Sequence, residues 1–91
     1  MPYIKKQDRK KFDPLIEKIN LGKAGEVNYV ITKLVHRYLK KKGINYDNLN
    51  EVIGVLEAAK LELYRKIAAP YEEEKIAKNG RVGELDIEKQ K

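Results

Sequence analysis

Four glutamates, one histidine and one lysine set among apolar residues are the side chains whose type and spacing bear most directly on chemistry. Glu51, Glu57 and Glu62 are six and five residues apart, so on a helix they point in different directions, and Glu26 stands alone on an earlier segment. Helix-borne magnesium sites need carboxylates three or four residues apart, on one face. A single chain with this spacing has no such pair, so only an arrangement shared between subunits would gather these groups into a magnesium-dependent nucleotide hydrolase. Nucleophilic catalysis by a serine or cysteine within one chain is more firmly excluded. The chain contains no Ser and no Cys, Thr32 is its one aliphatic hydroxyl, and His36 is its one histidine. Neither a Ser-His-Asp nor a Cys-His machine can be built from that set, nor a multi-histidine metal centre within one chain. No catalytic residue, metal or cofactor is assigned.

Lys60 falls among Ile53, Leu56, Tyr64 and Ile67. An unpaired ammonium is costly in apolar surroundings; the expectation is a packed stem with the charge carried to the edge, beside Glu57. Gly22-Lys23-Ala24-Gly25 lacks the spacing, the following Ser/Thr and the preceding strand of a phosphate loop, and reads as an inter-helix connection. Two groups of cations are candidates for anion binding. Lys5, Lys6, Arg9, Lys10 and Lys11 form a basic lead-in, and Lys33, His36 and Lys40 share a helix side with Tyr29. The acidic run Glu72 to Glu74 suits the first turn of a helix, where carboxylates oppose the positive end of the dipole.

The elements that carry these residues are helical. Leu49 to Ala69 is the longest periodic stretch and is read as a central helix. Leu49, Val52, Ile53, Leu56, Ala59, Leu63, Tyr64 and Ile67 occupy one broad side of it. Asn48 is its expected cap, with Glu51 completing a capping box. Gly54 and Ala58 make a smooth patch near the other side, where another helix can come close. A second long helix is expected from Gly25 or Glu26 to Lys42, stopped by Gly43, with a core face of Val27, Val30, Ile31, Leu34, Val35, Tyr38 and Leu39. Asp13-Pro14 marks the start of a short helix, with Asp13 as cap. Pro70 predicts a kink or a fresh start, and Asn79-Gly80 the end of the last helix.

Totals set the remaining bounds. Ninety-one residues suit one domain, placed at 1–80, followed by a polar tail at 81–91. The net charge is +6, and the first 42 residues hold twelve Lys/Arg against four Asp/Glu, whereas the rest hold eight against ten. That asymmetry makes nucleic acid a candidate partner for the first half. No stretch is long and apolar enough to span a membrane and no signal-peptide pattern opens the chain, so a cytoplasmic protein is expected. The apolar surface of the two long helices exceeds what the short ones can cover, which predicts a homodimer.

Ala24 to Thr32, His36 to Leu39, Asn50 to Glu57, Lys60 to Arg65 and Ala69 to Glu72 resemble a family of small uncharacterised proteins of phages and prokaryotes. The resemblance runs from Met1 to about Gly80 and implies no activity. Its polar members, Asn28, Tyr29, Glu51, Glu57, Lys60, Glu62 and Arg65, are candidates for a site or a structural network. The expected molecule is all-α, a three- to four-helix bundle with long central helices, kinked at Pro70 and completed by dimerisation. Its expected role is that of an interaction or accessory module, with nucleic-acid binding and the intersubunit hydrolase as alternatives.

Overall fold

The computed structural model describes residues 2–86. Its regular elements are helices: α1 Lys6–Arg9, α2 Asp13–Glu17, α3 Ala24–Lys42, α4 Tyr46–Leu63 and α5 Ala69–Asn79, with a π-helical segment, Tyr64–Ala68, before α5. The all-α class read from the periodicity is the observed one. The chain divides into two units between Ala59 and Lys60.

In the first unit, local chemistry sets the helix ends. Asp13 lies inside the first turn of α2 rather than capping it, with Pro14 beside it. At the start of α3 the Glu26 carboxylate accepts the backbone N–H groups of Gly22 (2.8 Å) and Lys23 (3.2 Å). Glu26 thus satisfies donors that a helix start leaves open. Gly43 closes α3 at φ 101°, its N–H donating to the Leu39 carbonyl. That backbone region favours glycine because it has no Cβ.

The expected cap of the central helix is corrected by three residues. Asn45, not Asn48, does the capping: its Oδ1 accepts the Asn48 N–H at 2.8 Å, and α4 starts at Tyr46. Asn48 turns back instead, its Nδ2 donating to the carbonyls of Lys42 (3.2 Å) and Gly43 (2.9 Å). It therefore ties the open carbonyl end of α3 to the start of α4.

The expected core faces are largely open within the chain. Val52, 5% exposed, is the one buried residue among those described, and Val30, Val35 and Leu39 are half-buried. Leu34 and Ile53 remain 60% and 62% exposed. Two long amphipathic helices have more apolar surface than one contact between them can remove, and α1 and α2 are too short to add a layer. Gly54, expected at a close helix approach, has nothing within 4 Å of where a Cβ would sit.

In the second unit, the helix passes into Tyr64–Ala68 in wide π turns, and the Ala69 N–H reaches back five residues to the Tyr64 carbonyl. Pro70 follows at once. A proline has no N–H to give and its ring collides with the carbonyl four residues back, so a widened turn just before it relieves the conflict. The helix makes no fresh start at Pro70: Ala68 and Ala69 keep helical backbone angles, and the chain passes into α5 by this change of pitch. Gly80, at φ 91°, ends α5 through its N–H to the Ile76 carbonyl. Beyond it, Asp86 holds a turn by accepting from Val82 N–H and from Arg81, while Val82 stands 98% exposed. The part of the expected tail at 87–91 lies outside the described residues. Among the described residues, no helix is long and apolar enough to cross a membrane.

Candidate interaction face and its polar surroundings

On α3, Val27, Ile31, Leu34 and Tyr38 follow one another at intervals of four, three and four residues, and all four are exposed. That spacing keeps them on one side of the helix for about 16 Å. On the first-unit part of α4, Leu49, Ile53 and Leu56 repeat the pattern and are likewise exposed. Completing the burial of each of these side chains is worth roughly 1 kcal/mol, about half the full transfer value. The two stripes thus carry several kcal/mol of stabilisation that the chain alone does not realise.

Charge is segregated between the same two helices. From Val27 to its end α3 carries Lys33, Arg37, Lys40, Lys41 and Lys42 and no carboxylate. From Tyr46 to Ala59 α4 carries Asp47, Glu51 and Glu57 and no Lys or Arg. Within the chain they are joined by the Tyr38 hydroxyl, which donates to Glu51 Oε1 at 2.6 Å. This bond favours the neutral phenol, and the Tyr38 pKa is raised above 10.0, with desolvation and the Glu51 charge adding to it.

Each of the polar residues singled out in the sequence is engaged within the chain. Asn28 accepts the Thr32 hydroxyl at 3.1 Å within α3, and Tyr29 lies under the Lys33 ammonium at 6.0 Å. Glu51 is engaged by Tyr38. Arg65 pairs with Glu62 at 3.1 Å in the second unit. Glu57 and Lys60 each have a polar or electrostatic contact of their own. Two partners escaped the sequence reading, Tyr38 and Tyr64, because at apolar positions a tyrosine reads as a ring and its hydroxyl goes unnoticed. The Tyr64 hydroxyl donates to Glu72 Oε1 at 2.7 Å, which raises its pKa above 10.0.

Of the cations, Lys33, His36 and Lys40 line, with Leu34 and Arg37 and without Tyr29, a shallow concavity of about 350 Å³ on α3. Arg37 was not singled out in the sequence, although the lack of any acid after Glu26 on that helix was the available signal. In the lead-in, Lys6 and Arg9 lie on α1, the Arg9 Nε donates to the Ile4 carbonyl at 2.9 Å, and Lys11 sits 5.2 Å from the Phe12 ring centre. Lys5 precedes that helix and Lys10 follows it. Among the described residues, no three His, Asp or Glu side chains are grouped to hold a metal ion.

A family model described as a domain of unknown function (DUF6899) matches residues 1–82. Comparison with curated proteins and with solved structures finds no match.

Proposed function

The chain belongs to the family described as Domain of unknown function, DUF6899, and for it we propose the role of a small, non-catalytic helical interaction module. Its working surface is the open apolar face of α3 and α4. One observation carries this reading: among the described residues Val52 alone is buried, while Leu34 and Ile53, at positions where a helix faces a core, are mostly exposed. Exposed apolar stripes of this kind mark places where protein docks.

The test is substitution of the two most exposed aliphatic residues of the face, Leu34→Glu and Ile53→Glu. If the face docks protein, then in the purified protein it is either open or already covered. When open it binds the dye anilinonaphthalene sulfonate, and each substitution abolishes that binding. When covered, each substitution costs about 2 kcal/mol or more in urea unfolding, the scale of placing a charge in a packed site. Absence of dye binding, together with stability unchanged within about 0.5 kcal/mol, would sink the reading.

A second reading, nucleic-acid binding, is favoured by the acid-free cationic run on α3 and the clustering of Lys33, His36, Arg37 and Lys40. Phosphate contacts by such a run release counterions, so affinity for a short duplex falls steeply with salt. Replacing Lys33 and Lys40 by Gln should then weaken binding and flatten that salt dependence. Absence of binding at low salt would eliminate it.

A further inference from the structure

We propose that the side of α3 turned away from its apolar stripe binds single-stranded nucleic acid, with bases stacked on Tyr29 and His36 and phosphates held by Lys33, Arg37 and Lys40. The proposal rests on the nucleic-acid reading and names the form of the ligand. Two observations carry it.

The first is order along the helix. Tyr29, Lys33, His36 and Lys40 follow at intervals of four, three and four residues, ring and cation in alternation, and all four are exposed. At 3.6 residues per turn they fall within an arc of about 60°, with Arg37 at its edge and the stripe of Val27, Ile31, Leu34 and Tyr38 roughly opposite. Lys33, His36, Arg37 and Lys40 line one concavity, and Tyr29 stands one turn before Lys33. The two rings are about 10 Å apart along the axis, so each can take a base of its own.

The second is the state of the ring and of the charges beside it. Tyr29 is 64% exposed, and the Lys33 ammonium, 6.0 Å from its ring centre, lies at the outer limit of a cation–π contact. That ammonium can turn to a phosphate at little cost. From Val27 to Lys42 the helix carries no carboxylate, and the Glu26 carboxylate before it is drawn to the backbone N–H groups of Gly22 and Lys23. A duplex hides its base faces in its own stack and would use the cations alone. A single strand offers a π-face to each ring as well.

The experiment measures the fluorescence anisotropy of labelled oligothymidylate, and of a labelled duplex of equal length, titrated with the full chain over a range of salt. Oligothymidylate is expected to bind at least about tenfold more tightly than the duplex, the scale of one stacking contact. Tyr29→Ala should weaken oligothymidylate binding by about tenfold and leave its salt dependence unchanged, while Tyr29→Phe keeps the affinity. His36→Ala should weaken it too. Lys33→Gln should instead reduce the slope of log affinity against log salt by roughly 0.7, the share of one phosphate on a single strand. These positions are exposed, and circular dichroism checks that each variant keeps its helix content. Should a variant fail to fold, the comparison of the two ligands on the unchanged protein still decides. Duplex binding as tight as that of oligothymidylate, or a folded Tyr29→Ala variant with unchanged oligothymidylate affinity, overturns the proposal and leaves the nucleic-acid reading standing. Binding of neither ligand at low salt removes both.

Discussion

The Tyr38 hydroxyl donates to the Glu51 carboxylate at 2.6 Å, joining two long helices across a separation of thirteen residues. The bond lies at the surface, yet it orients a ring that also belongs to the open apolar stripe of α3. A residue read as core is thus also a polar tie between helices.

Its expected signature is alkaline. The folded-state pKa of Tyr38 is raised above the ordinary 10.0, chiefly because its hydroxyl donates to Glu51. Below pH 10 the contribution is fully present. As pH rises through 10 and on through the raised value, the unfolded chain loses the phenolic proton first, and stability falls. Urea midpoints measured from pH 8 to 11 should decline more steeply for the unchanged protein than for Tyr38→Phe. Equal slopes would show that the bond does not persist in solution. Lysine titration affects both proteins alike and cancels in the comparison.

The Asn48 side chain spans the join between α3 and α4 with bonds to two carbonyls, Lys42 and Gly43. Asn48→Ala leaves both without that donor, the Gly43 carbonyl at a part-buried position, and should cost about 1–2 kcal/mol. Asn45→Ala removes only the cap on the Asn48 N–H, an effect of about 1 kcal/mol. Thermal unfolding of the two variants should therefore rank Asn48→Ala as the more damaging. The reverse ranking would return the capping role to the residue that the sequence suggested.

Much of this architecture is legible in the residues themselves, for identifiable reasons. Gly43 and Gly80 end helices because the chain there takes positive φ, which a sequence marks with glycine after a basic or amide-rich turn. The helix lengths follow from apolar periodicity. Periodicity says which side of a helix is apolar, however, and not what covers it. Val27, Leu34 and Ile53 therefore read as core although the chain alone leaves them exposed. Asn48 reads as the cap in place of Asn45 because both are good caps, and only the path of the loop decides between them. Glu26 read as a solitary carboxylate because its partners are backbone N–H groups, which no residue pattern displays. A family resemblance has a related limit: it identifies positions, not contacts.

Gly54 offers a stability gain. A Cβ there meets nothing within 4 Å, and the residue lies inside α4. Alanine reduces the freedom of the unfolded chain and favours the helix, so Gly54→Ala should stabilise by about 0.5–1 kcal/mol in urea unfolding. Destabilisation would mean that something outside the chain packs closely on that side.

The last prediction concerns how the π segment brings Tyr64 and Glu72 together. Residues eight apart on an α-helix differ by about 80° in direction, whereas seven apart are almost aligned. The wide turns of Tyr64–Ala68 absorb the extra residue, so the Tyr64 hydroxyl reaches Glu72 at 2.7 Å. Pro70 keeps the widened turn in place, because an α-helical register there would drive its ring into the carbonyl of Lys66. Pro70→Ala removes that obstacle and supplies an N–H, and the segment should relax to α-helical pitch. Tyr64 and Glu72 then part, and the Tyr64 pKa, held above 10.0 by that hydrogen bond, should return toward its ordinary value. NMR titration of the Tyr64 ring resonances in the two proteins reads the change directly. An unaltered Tyr64 titration would show that the widened turn is set by the packing of the unit and not by the proline.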